Sequence, residues 1–140
     1  MNKSKDKSFD DIKIGDSASF ERVVGEKDLI KFADISGDYN PLHLDKKYAV
    51  GTEFKGQVVY GMFLAALVYR LVGMELPGKR ALLVKESLEF KKPARIGDKL
   101  LVKGIVAHKS IGARLIELSI EISRGKEILA LGAVHARVLK

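Results

Sequence analysis

The run VVYGMFLAALVY, residues 58 to 69, carries no charge over twelve positions, and no other stretch leaves the chain so few ways to fold. It ends at Arg70, well short of the ~18 to 20 apolar residues that cross a bilayer, so no membrane span is expected. The pattern predicts a helix from about Gly61 to Met74, stopped at Leu76-Pro77-Gly78. Such a helix is apolar nearly all round, with Arg70 its main exception, and must be enclosed rather than lie on a surface.

The second half of the chain offers the enclosure. Segments 87–91, 99–107, 114–123 and 127–139 are rich in β-branched and apolar residues and read as strands, and 17–24 reads as a short one after a Gly15-Asp16 turn. Ile116, Leu118, Ile120 and Ile122 alternate with Glu117, Ser119, Glu121 and Ser123, the signature of a sheet with one wet face. Arg124-Gly125-Lys126 is a hairpin turn. A helix wrapped by a curved antiparallel sheet, α+β in class, buries both patterns at once. Open sheet edges invite pairing between copies, so a homodimer or higher homo-oligomer is expected.

At 140 residues one domain is expected, over 9–140, behind a disordered basic tail over 1–8. The tail has neither an apolar core nor an Arg/Ser-rich pattern, which reads as cytoplasmic. The chain has no cysteine, which excludes disulfides, a thiolate nucleophile and Cys-based metal sites. A net charge of +7 raises the question of nucleic acid, but the lysines and arginines are dispersed and no nucleic-acid-binding motif accompanies them. A solvated surface or a phosphate-bearing ligand fits better, and no nucleic-acid partner is expected.

The stretch FADISGDYNPLH, residues 32 to 43, carries the chemistry. EKDLIKFADIS reads as a helix that Gly37 ends in the left-handed conformation. On one helix Asp38 and His43 would point about 140° apart. Pro41 forbids that helix and pushes Asn40 out of the α region, so the segment reads as a loop able to bring both side chains to one point. Asp45 then caps a short helix, KKYAV, closed by Gly51 or the Gly56 loop. Two readings of the loop stand: a capped connection between helices, or a carboxylate and an imidazole converging on one water as an acid–base pair. His108 reads as solvated and His135 as a half-buried sheet residue. His43 and Asp45 lack a third ligand, and no glycine-rich phosphate loop is present, so neither metal nor cofactor is expected.

With those residues in place, SGDYNPLHLDKKYA resembles the hydratase motif of the MaoC-like (R)-specific enoyl-CoA hydratases, through Gly37, Asp38, Asn40, Pro41, Leu42, His43 and Ala49. VVYGMFLAALVYRLVGMELPGK is similar to that family's central helix and SLEFKKPARIGDKL to its strand and turn segment. The resemblance implies a hot-dog fold and reversible hydration of trans-2-enoyl thioesters to (3R)-hydroxyacyl thioesters, as in fatty-acid or hydroxyalkanoate metabolism. It makes Asp38 and His43 the catalytic pair, and the Gly61 backbone N–H the donor to the enolate oxygen. Asn40, Pro41, Tyr60, Met62 and Tyr69 are the implied substrate contacts, Asn40 alternatively bracing the loop. The implied partner is an acyl-CoA or acyl-carrier-protein thioester, its phosphates meeting Lys79, Arg80, Lys91, Lys92 and Arg95. Many family members have His where this chain has Tyr60, and a small Ser where it has Tyr69. Tyr69 is expected in the core; pointing into the pocket, it would restrict the acyl chain. A thioesterase on this fold needs an acid on the central helix, where only Glu75 stands, at the far end. A non-catalytic acyl-thioester-binding subunit would have no need of the Asp38–His43 pair.

Overall fold

In the computed structural model, which describes residues 3–140, the elements follow in the order β1 (Ser17–Val23), α1 (Glu26–Ser36), α2 (Pro41–Leu44), α3 (Lys46–Val50), α4 (Gly61–Met74), β2 (Ala81–Phe90), β3 (Lys99–Ser110), β4 (Leu115–Arg124) and β5 (Glu127–Val138). The strands form one antiparallel sheet in the order β1-β3-β4-β5-β2, and α4 packs across its apolar face. This is the hot-dog arrangement that periodicity and resemblance both implied.

The alternation in β4 shows why the helix settles there. Ile116, Leu118, Ile120 and Ile122 are all buried, and their face meets α4 through Leu64, Leu67, Val68, Leu71 and Val72. Gly104 of β3 admits the helix closely: a side-chain carbon there would stand 2.7 Å from Leu71 Cδ2. A local pattern of period two and a run with no polar face thus solve each other's burial problem.

Three expectations are corrected. β2 begins at Ala81 rather than Ser87, because a bulge between Leu83 and Lys85 shifts the phase of the strand and hides its alternation from a period-two reading. The basic leader is not a free tail from Ser4 onward. Lys5 N–H donates to Met74 O at 2.9 Å, Lys79 N–H returns to Lys5 O at 2.9 Å, and Asp6 pairs with Lys79 and Arg80. Residues 1 and 2 lie outside the described residues. The third correction concerns α4, which is not enclosed all round: Met62, Ala66 and Tyr69, spaced four and three apart, form an exposed stripe.

β2 is a sheet edge, with Leu82, Val84 and Phe90 exposed. On its inner face, with Leu88, stands Glu86, whose Oε1 is buried without a hydrogen-bond partner among the described residues. Burial pushes its carboxyl up from 4.5 to about 7. The folded pKa exceeds the unfolded one, so no penalty exists below pH 4.5 and stability is lost as pH rises towards about 7. Glu86→Gln should therefore match the wild type at pH 4 and exceed it in thermal midpoint at pH 8. A difference that stays constant across that range would show that Glu86 is solvated.

Candidate active site

Gly37 ends α1 with φ 75°, its N–H bonded to Ala33 O, and turns the chain outward. Two side chains then build the loop one step at a time. Asp38 Oδ1 accepts from Asn40 N–H at 3.0 Å, and Asn40 Oδ1 accepts from Leu42 N–H at 2.9 Å. Pro41 does not keep the chain in loop conformation throughout, as the sequence suggested. It takes the first position of α2, where its missing N–H costs nothing and Asn40 supplies the cap. His43 therefore sits on a single helical turn that Asp38 precedes. Asn40 and Pro41 shape the backbone; neither lines the adjoining cavity.

The imidazole is fixed from the opposite side. His43 Nδ1 lies 2.6 Å from Val58 O, and a carbonyl can only accept, so Nδ1 carries the proton. In the neutral ring that leaves Nε2 as an open acceptor, the atom a general base needs. Gln57 Nε2 donates to His43 O at 2.9 Å, and Arg95 ties down the same segment by donating to Phe54 O, Gly56 O and Gln57 O. Behind the imidazole lies Tyr60, 3% exposed, its ring 3.9 Å from that of His43 and inclined by 28°. Its hydroxyl donates to Asp38 O at 2.5 Å. Burial, and next the nearby Asp38 charge, raise the Tyr60 pKa, keeping the hydroxyl a donor.

Gly61 follows directly and opens α4. No side chain caps this helix, and the first N–H groups to reach back to Tyr60 O belong to Phe63 and Leu64. The Gly61 and Met62 N–H groups are thus left at the positive end of the helix dipole. The Phe90 ring packs where a Gly61 side chain would be, 3.0 Å from its would-be Cβ. His43 and Gly61 meet in one cavity of about 350 Å³, walled by Phe54, Val58, Val59, Leu64, Phe90, Pro93 and Ala94, with Lys91 and Lys92 also lining it. Apolar walls with one free ring nitrogen and helix-end N–H groups suit a substrate with an apolar tail and a carbonyl that gathers negative charge.

The structure thus gathers some of the anticipated residues and disperses others. Asp38 is exposed and does not line the cavity; its backbone carbonyl is tied to the Tyr60 hydroxyl, whose ring stacks on His43. Tyr60 lies behind His43 rather than on the cavity wall, so its position does not match a substrate contact. Met62 and Tyr69 are 64% and 57% exposed on the open stripe of α4 and do not line the cavity; Tyr69 is neither core nor pocket within one chain, because the five strands do not reach around that side. The phosphate candidates are engaged: Lys79 and Arg80 with Asp6, Lys91 with Glu89, Lys92 with Glu127, and Arg95 with the backbone carbonyls of Phe54, Gly56 and Gln57. Sequence reasoning missed the Val58 carbonyl and the Phe90 ring. It also missed the hydroxyl bond of Tyr60, although a buried tyrosine always raises the question of what its O–H meets.

Residues 10–123 match the family model described as MaoC like domain. The chain is 42% identical over 105 residues to a protein of Rhodospirillum rubrum named (R)-specific enoyl-CoA hydratase, covering 72% of this chain and 73% of that one. It is 33% identical over 132 residues to the 3-hydroxybutyryl-CoA dehydratase of Methylorubrum extorquens, covering 94% and 84%. Among solved structures, an R-hydratase from Pseudomonas aeruginosa in the unliganded form superposes with a TM-score of 0.92 at 27% identity, covering 98% of this chain and 88% of that one.

Proposed function

Because the chain belongs to the MaoC-like domain family, we propose that it is an (R)-specific enoyl-CoA hydratase, a hydro-lyase that interconverts trans-2-enoyl and (3R)-hydroxyacyl thioesters. The observation that carries the reading is the lock on His43: Val58 O holds Nδ1–H, which leaves Nε2 as the acceptor of the neutral ring, and His43 lines the same cavity as Gly61. In this reading a water sits between the Asp38 carboxylate and His43 Nε2. As the water oxygen bonds to C3, its proton passes to the pair. The C2=C3 electrons move toward the thioester, and the oxygen charge of the enolate falls on the N–H groups opening α4. The proton then returns to C2 from the same face, so one water is added and the pair is restored. Dehydration is the same path reversed.

The thioesterase alternative finds little support, since Glu75 stands at the far end of α4 and pairs with Lys5 at 2.8 Å. We also read the protein as a homodimer acting in the cytoplasm. The β2 edge and the Met62–Ala66–Tyr69 stripe are both exposed, and pairing with a second copy would cover them. The thioester can be carried by coenzyme A or by an acyl carrier protein.

A hydration assay with a short trans-2-enoyl-CoA tests the activity. The product should be oxidised by an (R)-specific 3-hydroxyacyl-CoA dehydrogenase and not by an (S)-specific one. An (S) product, or no hydration of either a coenzyme A or a carrier-protein substrate, would sink the reading.

A further inference from the structure

The loop bearing Asp38 has no anchor of its own. Residues 34–41 are exposed without exception, and the backbone bonds of 37–41 are local, Gly37 N–H to Ala33 O, His43 N–H to Asn40 O and Asp45 N–H to Pro41 O; the long-range backbone bond from Val58 N–H falls on the next residue, at Leu42 O. The bonds made by the loop side chains are local too: Ser36 to Asp38, Asp38 to Asn40, Asn40 to Leu42, Tyr39 to Asp34. Among the described residues, one hydrogen bond ties residues 37–41 to a distant part of the chain, from the Tyr60 hydroxyl to Asp38 O, across 22 positions. The same side chain stacks on the His43 ring, and its carbonyl belongs to the peptide plane that carries the Gly61 N–H. Tyr60 is itself held in the core, with Phe32 of α1 4.9 Å from its ring centroid and 3% of its surface exposed.

From this geometry we propose that Tyr60 is a positioning residue, which sets Asp38 and His43 in register with the Gly61 N–H. The inference rests on the hydratase reading and deepens it. Three groups must act on one substrate: a carboxylate on an exposed loop, an imidazole on a single helical turn, and an amide at the start of the buried helix. Tyr60 bonds to the first, packs on the second and is covalently joined to the third. Displacement of reacting groups by about 1 Å can cost ~100-fold in rate, so a fixed spacing among the three has a kinetic value separate from any contact with substrate.

The experiment compares Tyr60→Phe, which keeps the ring and removes the hydroxyl, with Tyr60→Leu, which removes both. Tyr60→Phe should lower kcat about tenfold, the scale of one net hydrogen bond, with KM for the enoyl-CoA within about twofold of wild type. Tyr60→Leu should lower kcat ~100-fold. The His43 ring protons, followed by NMR, should show the upfield shift imposed by a stacked aromatic ring in the wild type and Tyr60→Phe and lose it in Tyr60→Leu. Wild-type kcat in Tyr60→Phe would overturn the proposal, as would a raised KM at unchanged kcat, which would make Tyr60 a substrate contact. Should Tyr60→Leu fail to fold, Tyr60→Phe still decides. If the wild type hydrates no enoyl thioester, the hydratase reading fails by itself. The NMR comparison then tests the positioning geometry alone, and absence of the upfield shift in the wild type would overturn it.

Discussion

Asp38→Asn and His43→Ala should each reduce kcat for enoyl hydration by roughly a thousandfold, within the ~10²- to 10⁴-fold range of a positioned acid–base group. The variants should differ in stability while agreeing in activity. Asparagine keeps an oxygen to accept the Asn40 N–H, and position 38 is exposed, so the Asp38→Asn thermal midpoint should stay near that of the wild type. His43→Ala gives up the bond to Val58 O and the stack on Tyr60, a cost of about 1 to 2 kcal/mol. The double variant should be little worse than either single one, because two groups that activate one water act as a unit. Steady-state kinetics beside thermal melts give both readouts. Near-normal turnover in either single variant would remove the paired mechanism.

The second large effect falls on the sheet. A side chain at Gly132 of β5 would place its first carbon 1.8 Å from Ser87 O and 2.9 Å from Leu88 Cδ2, on the strand that pairs with it. The obstacle at Ser87 is backbone, so no rotamer relieves it; β2 must separate from β5. Gly132→Ala should cost about 3 kcal/mol or more, a value reserved for substitutions that force the main chain to move. That corresponds to a fall of roughly 10 °C in thermal midpoint for a domain of this size. The displaced strand runs into Phe90, Lys91 and Lys92 of the cavity, so KM should rise in whatever fraction stays folded. Gly112→Ala, with no atom within 4 Å of the added carbon, is the control and should change stability by less than about 0.5 kcal/mol. A Gly132→Ala melt that matches this control would show that the strands can part without cost.

How much of this was legible beforehand follows from how far each feature reaches along the chain. The limits of α4, the Gly37 stop, the Asp45 cap and the buried face of β4 each depend on neighbours a few positions away, and all can be read from the residues. β2 was half missed because a single bulge reverses its inward and outward faces midway. The helical turn at Pro41–Leu44 was missed because proline bars a helix from continuing through it but not from starting on it.

By itself, the sequence determined that one apolar helix must be wrapped by antiparallel strands, and it carries a motif resembling that of the hydratases, from which the proposed roles of Asp38, His43 and Gly61 follow. Only the tertiary structure decided which imidazole nitrogen is free, through a carbonyl 15 positions away, and what steadies the Asp38 loop, through a hydroxyl 22 positions away. It also decided that Tyr69 faces outward and that the leader from Ser4 onward is docked on the end of α4. The physical reason is the range of the forces involved. Periodicity and capping are settled within a turn or two of chain, whereas hydrogen-bond partners and the reach of a sheet around a helix exist only once distant segments have been packed together.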